Sequence, residues 1–381
     1  MGLKSTLAAL MLAVPLGLAH PGHEKVYQHN AVPLEARSLN HCKRHFEKEE
    51  FMKRTVEIHG AELSRLRRAA GLEAEDAVPI HKRDYISVSK IDHKSSTPVT
   101  ATTDPFSLFA DAGACMLMPA VDQGPLYVKG EEVRKDITEG QAGIKLTLAI
   151  QVVDYKTCEV VPDAFVDIWS SNATGMYVGV QGYPGMGDPN DASILKGTTL
   201  RGIQPTDAHG VATFDSLFPG HYSGRATHIH AIVYLGAKKE ANNTITGGRA
   251  AHVGQIYFDQ SLITNVDKNT PYSSNTMKIQ LNTGDFLFQQ GANGDDPIAR
   301  YALVGDSFAN GMFAWIRFGI NTAASKNVNP AAFWTADGGV MNPTGPISQI
   351  TGGGAFGGFG GFGGFGRKKR EAQKAAEKEN K

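Results

Sequence analysis

Two histidines one residue apart, His228-Ile229-His230, are where this sequence most plainly offers chemistry. In an extended strand residues i and i+2 point to the same face, so both imidazoles can reach one metal ion. Alone, the triplet is a weak signal and reads more readily as two histidines on a solvated strand face. The residues before it add weight. A Pro219-Gly220 turn delivers Tyr222 six residues and Arg225 three residues ahead of His228. Farther upstream, Trp169-Ser170-Ser171-Asn172-Ala173-Thr174-Gly175-Met176-Tyr177 reads as a strand end and turn that deliver a second tyrosine.

This arrangement resembles the intradiol ring-cleavage dioxygenases, and among them the secreted fungal branch. The resemblance begins at Cys115 and the turn Gln123-Gly124-Pro125-Leu126-Tyr127 and continues through Asp136-Ile137-Thr138-Glu139-Gly140. It then takes in Arg201-Gly202-Ile203-Gln204-Pro205-Thr206-Asp207, the block 219–230 and Gln255-Ile256-Tyr257-Phe258. It is clear over residues 111–259 and looser on either side.

The resemblance implies that Tyr177, Tyr222, His228 and His230 ligate one non-haem Fe(III) per chain, with a position left for hydroxide. The donor types suit that ion. Ferric iron is hard and prefers anionic oxygen, and a cation lowers a phenol pKa from about 10 far enough for ionisation at neutral pH. Tyrosinate is an uncommon zinc ligand, which weighs against a zinc or copper hydrolase site built on the histidine pair. By the same resemblance a catechol and O2 are the substrates, Tyr222 is the phenolate that swings off the metal to take a substrate proton, and the product is a muconate-type diacid. Arg225 would stabilise negative charge developing on the ring, and Gln255 would hydrogen-bond near the same carbon. Those two residues favour turnover over the alternative of an inactive secreted phenol- or metal-binding β-sandwich.

The sequence departs from the resemblance at Ser171, where many secreted fungal relatives carry cysteine. If that cysteine is the usual partner of Cys158, Cys42 would be left to pair with Cys115 and Cys158 would be a free, buried thiol. Trp169 and Phe214 read as core aromatics, the Leu126 turn as pocket lining, His209 as a surface turn residue, and His221 and His252 as histidines outside the ligand set.

The elements that must position these residues are strands. From about residue 146 short apolar runs such as 145–153, 164–169, 211–214, 229–235 and 255–258 alternate with Gly, Pro, Asn and Asp. The expected fold class is all-β, a sandwich with one solvated face on each sheet. Before it, Leu39, Cys42, Phe46, Val56, Leu63 and Leu66 form a helical stripe over 36–70. That stripe must bury against the sandwich or against a second copy of the chain, as a homodimer. After Asn342, Phe356, Phe359, Phe362 and Phe365 recur in a glycine tract that reads as disordered. The implied organisation is a signal peptide over 1–19, a leader over 20–95, the dioxygenase-like sandwich over 96–341 and a low-complexity tail over 342–381.

Of 381 residues 41% are hydrophobic and 20% charged, enough apolar material for a large domain. With 38 basic and 38 acidic side chains there is no general electrostatic pull toward nucleic acid or anionic membrane. Lys4, an apolar run from Leu7 to Leu18 and small residues at Gly17 and Ala19 have the grammar of a cleavable signal peptide, so secretion is expected and a membrane anchor is not. In that setting His20 becomes an amino-terminal copper chelator or one histidine of a solvated leader. Asn172 and Asn242 become glycosylation acceptors. Lys82-Arg83 reads as a dibasic processing site or a solvated pair, and Arg367-Lys368-Lys369-Arg370 likewise.

Overall fold

The computed structural model describes residues 39–46, 48–71, 89–94, 123–183, 188–292 and 296–350. The expected signal peptide, His20, Arg83, Cys115 and the Gly/Phe tract lie outside them. The strands are β1 (Val128–Lys129), β2 (Lys145–Asp154), β3 (Phe165–Trp169), β4 (Arg201–Pro205), β5 (Val211–Leu217), β6 (His228–Lys239), β7 (Ile245–Tyr257), β8 (Arg300–Leu303), β9 (Met312–Ile320), β10 (Ala332–Thr335) and β11 (Gly338–Met341). Two four-stranded sheets, ordered β5-β2-β9-β8 and β4-β3-β6-β7, form the sandwich, and β1-β10-β11 make a third, small sheet. No helix among the described residues is long and apolar enough to cross a membrane.

Strand parity builds the core. Leu146, Leu148, Ile150 and Val152 of β2 meet Val166 and Ile168 of β3 and Ile229, Ala231 and Val233 of β6 in one buried cluster, joined by Phe214. Each such side chain contributes roughly 1.5–3 kcal/mol by leaving water. The alternate residues of the same strands face outward, yet they are buried too: β2 is covered from Leu146 to Asp154, and β3 along its whole length. The expectation of one solvated face per sheet is therefore corrected. Added layers cover both outer faces, so the strands carry side chains fit for burial on either side.

The first layer is the helix Glu49–Ala70. Its Ile58, Leu63 and Leu66 pack on Ala149, Val211, Ala302, Phe313 and Trp315, on the outer face of the β5-β2-β9-β8 sheet. Arg65 and Lys135 bridge Glu62 and Asp215 across this contact. Of the two partners the sequence allowed for this stripe, the sandwich takes it. Cys42, just before the helix, is disulfide-bonded to Cys158 between β2 and β3. This corrects the Cys42–Cys115 pairing and the free Cys158 thiol. The docked helix brings residue 42 to the β2–β3 turn, while Ser171 donates its hydroxyl hydrogen bond to Gly220 O at 2.7 Å.

The chain after the helix docks a second time at His93. Its buried ring lies between the carboxylates of Asp259 and Asp296, with Nε2 at 2.9 Å from the latter.

The tail boundary at 342 is also corrected. Asn342 is buried and donates to Pro330 O at 2.8 Å. The helix Pro346–Ile350 follows and buries Pro346 and Ile347. Ordered packing thus continues to Ile350.

Candidate metal centre

The outer face of the β4-β3-β6-β7 sheet carries the chemistry. In register across the four strands stand Arg201, Trp169, His230 and Gln255, each opposite the next. One step along, His228 stands opposite Tyr257. Parity puts all of them on the side away from the inter-sheet core, where Tyr127, Trp169, Tyr177, Tyr222 and Ile232 form a second buried cluster.

Both histidines turn Nε2 into a common space, 3.0 Å apart. His228 Nδ1 donates to Ala226 O at 2.6 Å, which leaves its Nε2 as the lone pair. Burial, then the Arg225 charge, lowers the His228 pKa to about 3, so the imidazole is neutral and fit to be a ligand. The ring of His230 lies flat on Trp169, and Gly124 abuts it at Cε1. A Cβ on Gly124 would stand 3.0 Å from His230 Cε1, and φ there is +74°, a conformation that glycine adopts without strain.

The two tyrosines come from irregular segments covering this face. Tyr222 Oη is 3.4 Å from His228 Nε2. Tyr177 meets Tyr222 edge-on, with ring centroids 5.6 Å apart, and its centroid is 6.3 Å from that of His230. Its segment is shaped by Asn172, whose Oδ1 accepts from Thr174 N, Thr174 Oγ1 and Met176 N. Tyr177 Oη is buried with no hydrogen-bond partner of normal geometry. Such an orphan is costly unless something takes the oxygen. Burial pushes both phenols up, Tyr177 and Tyr222 alike. Two phenols that cannot ionise unaided, beside two facing imidazole lone pairs, fit a cation that ionises the phenols, and ferric iron is such a cation.

Arg225 and Gln255 lie at the edge of the same space. Arg225 donates through Nη2 to Gln255 Oε1 at 2.6 Å and to Tyr257 Oη at 2.9 Å, and Tyr257 donates to the same Gln255 oxygen at 2.8 Å. Asp285 fixes the guanidinium from behind, accepting from Arg225 Nε at 2.8 Å and from Ala226 N at 2.7 Å. Burial alone would raise the Asp285 pKa, but the Arg225 charge and hydrogen bond hold it below the usual range.

All six residues expected from the sequence therefore gather in one place. Tyr257 and Asp285 were missed. Tyr257 is two residues from Gln255 on a strand, so parity carried a signal; Asp285 arrives from a distant loop and has none. Trp169, expected only as a core aromatic, also stacks on a candidate ligand. Leu126 lies in the buried cluster with both tyrosines. His221 bonds Asp267 and Met277 O, away from the ligand set.

No family model matches the chain, and no curated protein does. Intradiol ring-cleavage dioxygenases are among the solved structures it resembles. One from Tetranychus urticae is 29% identical, with a TM-score of 0.46, over 58% of this chain and 100% of that one. A second solved dioxygenase is 30% identical, with a TM-score of 0.47 and the same coverage of 58% and 100%. A catechol 1,2-dioxygenase from an Acinetobacter species is 19% identical, with a TM-score of 0.35, over 53% of this chain and 62% of that one. At such TM-scores the likeness carries no geometric argument, and the chemistry rests on the residues of this chain.

Proposed function

We propose that this protein is a secreted intradiol ring-cleavage dioxygenase that holds one non-haem Fe(III) through Tyr177, Tyr222, His228 and His230. It uses O2 to open catechol-type rings between the two hydroxyls. The observation that carries this reading is the chain of facing donors, Tyr222 Oη 3.4 Å from His228 Nε2 and that atom 3.0 Å from His230 Nε2, with the buried Tyr177 Oη, which makes no hydrogen bond of normal geometry, in the same cluster. Bound ferric iron would supply electron withdrawal from a chelated catecholate, which opens a ring carbon to dioxygen.

The chain's own residues do the rest. His228, neutral through burial and the Arg225 charge, and His230 both turn Nε2 into the common space. Tyr222, whose Oη is 3.4 Å from His228 Nε2, would accept and hold a substrate proton. Arg225 supplies a fixed positive charge for the ring as negative charge develops on it, and Gln255 orients that charge. The β1-β10-β11 layer and the 123–127 turn keep water from the face behind the ligands.

The test is metal content and colour. Purified protein loaded with ferric iron should bind about one ion per chain and show a tyrosinate-to-iron charge-transfer band that shifts on anaerobic addition of catechol. Tyr177→Ala or His228→Ala should remove most of the iron, and full occupancy in either variant would refute the ligand set. Oxygen uptake with catechol, protocatechuate and hydroxyquinol separates an active enzyme from an inactive phenol-binding protein.

A further inference from the structure

Arg201 begins β4 and is 1% exposed, one of the largest fully buried side chains of the protein. Its guanidinium lies beside the metal centre without being one of its candidate ligands. Nε donates to Val178 O at 2.8 Å, the carbonyl next after Tyr177 in the chain. Nη2 donates to Leu126 O at 2.9 Å, in the turn whose Gly124 abuts His230. The guanidinium carbon stands 6.0 Å from the Tyr177 ring centroid. One planar fork thus ties together the backbone behind one candidate ligand and the turn that packs on another.

Three local features exist to admit it. Gly179 leaves the space: a Cβ there would stand 3.2 Å from Arg201 Nε, at φ +78°. Leu200, just before the arginine, has φ of 58°, a left-handed conformation that is unfavourable for a bulky residue. Its N–H donates to Ile137 O at 2.7 Å and its carbonyl accepts from Ser170 N at 3.1 Å, so the surroundings hold that strain in place. Buried Glu131 lies 3.9 Å from Nε.

We propose that Arg201 is a positioning residue for the metal centre: it fixes the Tyr177 segment and the 123–127 turn against each other, so that Tyr177 Oη and the His230 ring keep their mutual placement when the metal arrives. The proposal rests on the iron-site reading. Lysine cannot replace it in full, because a single ammonium lacks the planar fork that spans two carbonyls on different segments.

The experiment compares Arg201→Met, Arg201→Lys and Phe214→Leu, the last a control in the inter-sheet core. In metal-free protein, hydrogen exchange of amides 171–183 should be at least about ten-fold faster in Arg201→Met than in wild type. Exchange should be intermediate in Arg201→Lys and unchanged in the control. In iron-loaded protein the affinity should fall by about 10- to 100-fold in Arg201→Met, as for loss of groups that orient metal ligands, with a displaced charge-transfer band. Unchanged exchange in Arg201→Met overturns the proposal, and so does a band that moves equally in Phe214→Leu. A wild-type protein that binds no iron defeats the function reading instead, and the exchange arm still decides whether Arg201 holds the two segments.

Discussion

Trp169 stands directly opposite His230 in antiparallel register, and their rings stack with centroids 4.7 Å apart and planes 1° apart. A flat indole against an imidazole fixes the histidine's rotation about its own bonds, which sets where Nε2 points. Trp169→Ala should cost about 3–5 kcal/mol in urea unfolding, since it empties a buried volume. Trp169→Phe keeps a stacking ring and should cost clearly less. If the two variants unfold alike, stacking has no part in holding His230.

Asp285→Asn keeps an acceptor for Ala226 N but takes the negative charge away from Arg225. Iron binding should survive while kcat falls, and Arg225→Ala should fall by roughly 10²–10³, as when one preorganised charge-stabilising group is deleted. Steady-state oxygen consumption at saturating catechol reports both. Wild-type kcat in Arg225→Ala would remove that residue from the chemistry.

Burial raises the Glu131 pKa from 4.5 to about 7, with Arg201 pulling the other way. Below about pH 4.5 the carboxyl is protonated in both the folded and the unfolded state and costs nothing. Between there and about pH 7 the unfolded chain releases the proton while the folded one keeps it, so stability falls as pH rises, by roughly 3 kcal/mol in all. Glu131→Gln should flatten that part of the stability curve. A parallel curve, followed by denaturant midpoint from pH 4 to pH 8, would show that the carboxyl is ionised in the fold.

Truncation after Ile350 should leave iron content and thermal stability unchanged, whereas truncation after Met341 should lower both. The second cut removes the Asn342 hydrogen bond to Pro330 O and the Pro346–Ile350 helix, whose Pro346 and Ile347 are buried. Differential scanning calorimetry of the two forms checks it, and equal melting temperatures would return the boundary to 342.

Period-two parity made His228 and His230 legible as one face of a strand, whereas Tyr177, Tyr222, Arg225 and Gln255 were legible only through the family resemblance, since the register that sets Gln255 opposite His230 is not written in either strand alone. Parity also predicts that Tyr257 shares a face with Gln255, two residues before it on β7. Apolar content alone does not show whether an outward face is wet, and so the covered β2 and β3 faces were missed. Asp285 and Asn342 act through contacts made by loops, where no period exists to read. The Cys42–Cys158 bond depends on how a separate helix docks, a long-range matter on which cysteine counting is silent.

That bond crosses the Lys82-Arg83 pair in sequence: Cys42 lies before the pair and Cys158 after it. A protease cutting after Arg83 would therefore make a two-chain molecule and release nothing. The helical piece would stay on the sandwich through the covalent link, and the new amino terminus would stay close through His93. Maturation at that site would be invisible to size-exclusion chromatography and to a non-reducing gel, and two bands would separate only once a thiol reductant was added.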